Sequence, residues 1–343
     1  MKTLFYSIKD FEKKYLDKAN TLAYEVEYIG EPLSMLTVDY AKGFDAIVIF
    51  TSDDASAEVL IALKNAGVKY ISTRATGYDN IDIDKANQLE MVVAHVSNYS
   101  PYSIAEHAVA LLLAAIRKLV LANAQVHNQN FSINNLVSFD LNKKIVGIIG
   151  VGKIGAVFAK IMHGFGCKIL GCDLIENKKL TELYGIKYVD LKTLSIQSNI
   201  ISIHTGLSTS TKYMINKDCI NQMQHGTILI NTGRGGCVNT NDVISGLENR
   251  RIGFYAADVY ENEKGIFLND LSNNELKDDM LNKLLSIPNV LITPHQAFAT
   301  HEALSDIANS TFYNIDCWSK NQHSKDELTN YLVEEEIAGN GNN

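Results

Sequence analysis

A chain of 343 residues with 46% hydrophobic content can bury two ordinary cores, so two domains are expected. Its net charge of −8, with no long basic run, argues against nucleic acid or an anionic membrane as partner. Five cysteines (167, 172, 219, 237 and 317) and nine histidines form no C-x-x-C, H-E-x-x-H or Cys/His cluster at metal spacing. No metal is expected, and the thiols read as reduced, in a cytoplasmic protein.

At the N-terminus, Lys9 and Asp10 interrupt the apolar character too early for a secretory signal. Residues 4–8 read as a strand and 11–24 as a helix. Strands follow at 26–29 and 46–50, a helix at 55–66, and strands at 70–73 and 91–96. Such alternation argues a parallel sheet, hence an α/β domain, here without a glycine-rich phosphate loop. Residues 74–79, RATGYD, suit either a loop whose amides face an anion or an ordinary turn. Residues 99–102, YSPY, then break the pattern before a helix expected over 103–126, long enough to pass from the first domain to the second. Its first turn holds Glu106 and His107, the latter a structural hydrogen-bonder or a catalytic group. The apolar run at 108–116 within it is too short to cross a bilayer.

The next stretch, 145–173, carries the most specific signal. A β-branched run at 145–149 reads as a strand buried on both faces. Gly150, Gly152 and Gly155 follow in G-x-G-x-x-G spacing, then apolar residues at helical period, then a strand at 168–172 ending on Asp173. Gly150 allows the tight turn, Gly152 lets backbone approach a pyrophosphate, and Gly155 lets the helix lie close on the strand. The helix N-terminus offers amides and partial positive charge to phosphates. Asp173 can accept from ribose hydroxyls and would repel a 2′-phosphate, which favours NAD over NADP. With strand, helix, second strand and acid all in place, this is a dinucleotide site.

Beyond it, strands are expected at 186–189, 199–204, 227–231, 253–259 and 290–293, with helices at 216–223 and 239–249. Ligands of an open parallel sheet bind at the carboxyl ends of its strands. Those ends carry His204, Thr205 and Gly206; Thr232, Gly233 and Arg234; Asp258 and Glu263; and His295. Hydride transfer to a 2-oxo acid needs that set. Arg234 can grip a carboxylate with a bidentate fork and polarise the carbonyl. His295 can donate the proton, and Glu263 beside it can hold the ring and keep it protonated. Asp258 suits the carboxamide end of a nicotinamide.

The motifs GVGKIG at 150–155 with Asp173, NTGRGG at 231–236, DVYENE at 258–263 and TPHQAF at 293–298 resemble the NAD-dependent D-2-hydroxyacid dehydrogenase family. Three features resemble its D-lactate branch: YSPY before the IAEH of 104–107, an insertion at 264–283, and Phe298 where many relatives carry glycine. The resemblance implies a fold of two doubly wound parallel-sheet α/β domains. A Rossmann NAD-binding domain at 102–299 would be inserted into a flavodoxin-like catalytic domain made of 1–101 and 300–333, with a disordered tail at 334–343. It implies Arg234, Glu263 and His295 as catalytic residues. Lys153, Ile154, Asp173, Thr205, Gly206, Thr232, Gly233 and Asp258 would contact NAD. Thr76 and Gly77 would offer amides to the substrate carboxylate, and Tyr99 and Phe298 would line its methyl pocket. Gly206, where relatives often have proline, and Gly233, where they have alanine or serine, are departures that bear on cofactor affinity. The implied activity is reversible reduction of pyruvate to D-lactate by a homodimer. A branched 2-oxo acid reductase and an NAD-responsive corepressor-like binding protein remain as alternatives.

Overall fold

Short β-branched runs separated by helices build two parallel sheets in the computed structural model, which describes residues 1–97 and 99–329. The expected tail at 334–343, and the last part of the 300–333 segment, lie outside the described residues. The chain packs as two units, one formed by Met1–Ser100 with the chain from Ala299 onward, the other by Pro101–Phe298.

In the first unit, β1 (Lys2–Phe5), α1 (Asp10–Ala19), β2 (Glu25–Tyr28), β3 (Ala46–Ile49), α2 (Ala57–Asn65), β4 (Tyr70–Thr73), α3 (Ile83–Gln88) and β5 (Val92–Ala94) follow in order. The strands lie in the order β2-β1-β3-β4-β5, all parallel, so the winding reverses between β1 and β3. Successive side chains leave opposite faces of a strand. Leu4, Tyr6, Ile47 and Ile49 therefore join Leu60 and Leu63 in one core. Phe5 and Val48 join Leu16 and the Ala308, Phe312 and Ile315 of the returning helix in the other. The helix expected over 11–24 stops at Ala19. Asn20 brackets Tyr24 through both its amide oxygen and its amide nitrogen, which closes a turn where the helix would have run on.

The second unit opens with α4 (Pro101–Ile116) and α5 (Leu119–His127). These replace the single helix expected over 103–126, and both lie wholly within this unit. Pro101 starts α4 at the position where proline's missing N–H costs nothing. The break falls at Lys118, whose φ of 51° is left-handed. Then come β6 (Ile145–Ile149), α6 (Lys153–Gly164), β7 (Lys168–Cys172), α7 (Lys178–Tyr184), β8 (Lys187–Tyr188), α8 (Leu191–Gln197), β9 (Ile200–Ile203), α9 (Lys217–Gln222), β10 (Thr227–Asn231), α10 (Thr240–Glu248), β11 (Ile252–Ala257), α11 (Asp279–Leu285) and β12 (Val290–Ile292). After β12 the chain re-enters the first unit as α12 (His301–Ser319).

The seven strands are parallel in the order β12-β11-β10-β9-β6-β7-β8. The winding reverses between β6 and β9, so the loops after those two strands flank the crevice where such sheets bind ligands. Both faces are apolar, which is why the central strands read as unbroken hydrophobic runs. Ile149, Ile201, Ile203 and Leu229 pack on one side, and Val146, Ile148, Ile200 and Ile230 with Phe158 and Met162 of α6 on the other.

Candidate active site

The loop after β6 is shaped by three glycines with three different constraints. Gly150 has a φ of +86°, and a Cβ there would lie 2.9 Å from the backbone of both His204 and Thr205. A Cβ at Gly155 would sit 2.0 Å from the Gly150 carbonyl oxygen, so α6 can approach β6 only with glycine at that point. Gly152 is the opposite case: nothing lies within 4 Å of its Cβ position. It leaves the start of α6 open, and that start has no side-chain cap. The amides of the first helical turn, which holds Lys153, Ile154 and Gly155, lack intrahelical acceptors and can take a pyrophosphate.

Asp173 closes the far side of this cradle. Its Oδ2 accepts from the Val151 amide at 2.6 Å and its Oδ1 from the Ile175 amide at 3.2 Å. A carboxylate has about four acceptor positions, so two remain for ribose hydroxyls. Across the switch point, His204 packs on Phe158 with ring centroids 4.8 Å apart, and its Nε2 lies 2.9 Å from Ser202 Oγ. Desolvation drives its pKa down to about 3, so it is a neutral hydrogen-bonding ring there. Thr232 Oγ1 lies 3.4 Å from its Nδ1. A Cβ at Gly233 would meet the Thr205 carbonyl oxygen at 2.7 Å, whereas Gly206 has open space around it. The donor set and the open glycine suit a bound dinucleotide.

The second cluster follows β10, β11 and β12. The Arg234 turn is tied by Asn231, whose side chain accepts from the Gly233 amide and donates to the Arg234 carbonyl, both at 3.0 Å. Arg234 itself is half-buried, with its guanidinium donating to the Gly233 carbonyl at 3.1 Å. That bond and the Asn231 ties fix the turn from which Arg234 projects. Glu263 is held at both oxygens: Oε2 accepts from the Tyr260 amide at 2.9 Å, and Oε1 lies 2.7 Å from His295 Nδ1. That pairing engages Nδ1 of the imidazole with Glu263, so of the two ring nitrogens Nε2 is the one turned away from that carboxylate.

Asp258 keeps His295 where it is. His295 has a φ of 56°, a left-handed conformation rare for a side-chain-bearing residue. Asp258 Oδ1 accepts from Thr293 Oγ1 at 2.6 Å and the Gln296 amide at 2.9 Å, Oδ2 from the Ala297 amide at 2.8 Å, and its carbonyl from the His295 amide at 2.8 Å. His107 Nε2 lies 3.0 Å from Thr293 Oγ1 and 3.4 Å from the Asp258 carboxylate, so His107 is a structural hydrogen-bonder. Burial alone would raise the Asp258 pKa, but hydrogen bonds from His107, Thr293, Ala297 and Gln296 outweigh it and hold the carboxyl below its usual range. Asp258 was expected at a nicotinamide carboxamide; its visible work is to stabilise the strained turn that carries His295. Phe298 is buried beside it, its ring 6.5 Å from the imidazole and nearly perpendicular.

Thr76, Gly77 and Tyr99 belong to the first unit. Arg74, which precedes them, is wholly buried, donating to Glu12 at 3.0 and 3.2 Å and to the carbonyls of Tyr6, Ser7 and Val48. It is a structural clamp on the ends of β1 and β3, not a ligand for an anion. The loop beyond it is pinned by Thr76 Oγ1 to the Val96 carbonyl and by His95 Nδ1 at the Thr76 carbonyl. Among the described residues, the amides of Thr76 and Gly77 have no hydrogen-bond acceptor, so the loop presents two donors. Sequence reasoning missed Tyr260 and Thr293: their bonds to Glu263 and Asp258 depend on the turn after β11 and on the pairing of β11 with β12, which residue types alone do not show.

A seven-stranded parallel sheet with this switch-point cradle and an Arg, Glu and His beside it defines an NAD-dependent dehydrogenase. Residues 109–297 match the family model described as D-isomer specific 2-hydroxyacid dehydrogenase, NAD binding domain. The chain is 38% identical over 329 residues to the D-lactate dehydrogenase of Escherichia coli strain K12, covering 96% of this chain and 100% of that one. Among solved structures it is similar to the pyruvate reductase of Chlamydomonas reinhardtii, with a TM-score of 0.86 at 37% identity, covering 94% and 97% of the two chains. It is likewise similar to the Aquifex aeolicus D-lactate dehydrogenase complexed with NAD and lactic acid, with a TM-score of 0.85 at 29% identity and coverage of 93% and 96%. This chain belongs to the D-2-hydroxyacid dehydrogenase family, and its cofactor is NAD.

Proposed function

We propose that this protein is a D-lactate dehydrogenase, reducing pyruvate with NADH and running in reverse when NAD and D-lactate are abundant. The observation that carries the chemistry is the 2.7 Å contact of His295 Nδ1 with Glu263, in the unit that also presents Arg234. Bound as NADH, the cofactor supplies a hydride. Arg234 grips the substrate carboxylate and polarises the C2 carbonyl. His295 delivers a proton to the carbonyl oxygen, and Glu263 balances the charge on the ring and holds its orientation. In the reverse direction the neutral ring takes the hydroxyl proton. Asp258 steadies the His295 turn, and its contact with the nicotinamide carboxamide belongs to the same reading. Thr76 and Gly77 would offer amides to the same carboxylate, with Tyr99 and Phe298 against the methyl group.

The choice of pyruvate rests on the bulk of Tyr99 and Phe298 and on the names of the similar proteins. It predicts a higher kcat/KM for pyruvate than for 2-oxoisocaproate. Phe298→Ala should move that preference towards the longer acid by about 1–3 kcal/mol, the usual worth of an apolar pocket contact. Better turnover of the long acid by the unmutated protein would make it a branched-acid reductase instead. No NADH oxidation with any 2-oxo acid would favour a binding protein. Five cysteines with no C-x-x-C pair support a reducing, cytoplasmic setting, and no described helix is long and apolar enough to span a membrane. A homodimer is part of the same proposal.

A further inference from the structure

The insertion at 264–283 follows directly on Glu263, and its contacts converge on one residue. Tyr260 is buried, and its hydroxyl donates to both carboxylate oxygens of Asp278 at 3.0 Å. Asp278 in turn caps α11 by accepting from the Leu281 amide at 2.8 Å. The Tyr260 ring lies 6.3 Å from that of Phe267, inside the insertion. The same residue's amide holds Glu263 Oε2 at 2.9 Å, while the Glu263 carbonyl accepts from the amides of Ile266 and Phe267 at 2.9 and 3.0 Å. On the other side, Gly235 is seated on the Tyr260 backbone so closely that a Cβ would fall 2.1 Å from its carbonyl carbon. Arg234 immediately precedes that glycine.

We propose that Tyr260 is a positioning residue through which the insertion braces Glu263. This rests on the reading of Glu263 and His295 as the proton-transfer pair. A carboxylate that must both orient an imidazole and balance its charge loses effect when it is displaced by a fraction of an ångström. The Tyr260 amide can fix Glu263 only if the Tyr260 backbone is itself fixed. The hydroxyl bond to Asp278 supplies that second anchor, from a helix cap more than a dozen residues further along the chain. Burial, together with the Asp278 contact, raises the Tyr260 pKa, so the phenol stays protonated and remains a donor.

The test is a double-mutant cycle of Tyr260→Phe and Glu263→Gln on the full-length protein, read as kcat and KM for pyruvate, with NADH affinity by fluorescence as the control. Tyr260→Phe keeps the ring and removes the anchor, so kcat should fall roughly three- to tenfold. NADH affinity should stay within about twofold of its starting value. In the Glu263→Gln background the same change should alter kcat by less than about twofold, because the group being positioned is already gone. Asp278→Asn retains an acceptor for both the phenol and the α11 cap, and should recover much of the loss relative to Asp278→Leu. Equal effects of Tyr260→Phe in both backgrounds, or parallel losses of kcat and NADH affinity, would make Tyr260 a general packing residue and overturn the brace. A Glu263→Gln variant with unchanged kcat at every pH would overturn the proton-transfer pairing itself, and the brace with it.

Discussion

Arg234 and a lysine in its place would differ in shape rather than charge. The guanidinium offers a planar fork to a carboxylate and a carbonyl together, whereas an ammonium offers one point. Arg234→Lys should therefore lower kcat/KM for pyruvate roughly ten- to a hundredfold, through both a higher KM and a lower kcat, with NADH binding unchanged. Selective loss of NADH binding would place Arg234 at the cofactor instead. The Glu263–His295 contact makes a second prediction at this scale. Proton delivery in pyruvate reduction and proton uptake in D-lactate oxidation both need the imidazole held in one orientation. Glutamine at position 263 keeps an oxygen facing Nδ1 but loses the charge that balances the ring during transfer. Glu263→Gln should therefore lower kcat in both directions by roughly tenfold or more, with NADH affinity unchanged. Unchanged kcat in both directions would mean that His295 relies on another partner.

At the scale of elements, the β6–α6 turn separates two roles that its glycines share in the sequence. Gly155→Ala places a methyl group against the Gly150 carbonyl oxygen, so α6 must lift from β6. It should destabilise the second unit by about 1–3 kcal/mol, the ordinary cost of overpacking, and should abolish NADH binding. Gly152→Ala points a methyl group into open space. Its melting temperature should match that of the unmutated protein while NADH affinity falls, because the methyl group occupies the path of the pyrophosphate. A drop in stability for Gly152→Ala, or unchanged NADH binding, would relocate the cradle. This turn was legible in the sequence because both neighbouring elements have strong periodicity and the glycines punctuate them. The strands of both sheets were legible for a related reason: burial on two faces demands runs such as IVGII at 145–149 and TILIN at 227–231. The division of α4 from α5 was not, since Lys118 takes a left-handed conformation with neither glycine nor proline to mark it. The work of Asp258 was equally hidden. Four of its bonds run to residues 293–297 and to His107, which only the pairing of β11 with β12 and the packing of α4 bring near. Residue types at strand ends could be read in advance, whereas the hydrogen bonds that aim them are tertiary.

At the scale of the whole molecule, the second unit carries an apolar segment that its own core does not use. No residue of α5 is buried. Leu119, Val120, Leu121 and Val126 are exposed along it, and beyond it Phe131, Ile133 and Val137 are exposed by 73%, 70% and 75%. Single exposed aliphatic residues are ordinary, but a run of seven within 19 positions of one chain segment is what an interaction surface would present. For a protein proposed to be a homodimer, the partner that fits is a second copy, since a two-fold interface places the same apolar segment on both sides. Covering one such side chain is worth about 1.5–3 kcal/mol, so a few of them outweigh the cost of association once some 800 Å² per partner is buried. Sedimentation of the unmutated protein at micromolar concentration should give the mass of two chains. The double variant Val120→Glu with Ile133→Glu should sediment as one chain, because two carboxylates per copy would have to be desolvated at the interface. Its NADH affinity should persist, since neither residue is in the dinucleotide cradle. A dimer that survives both substitutions would move the interface elsewhere, and an unmutated protein that sediments as a single chain would remove the dimer from the proposal.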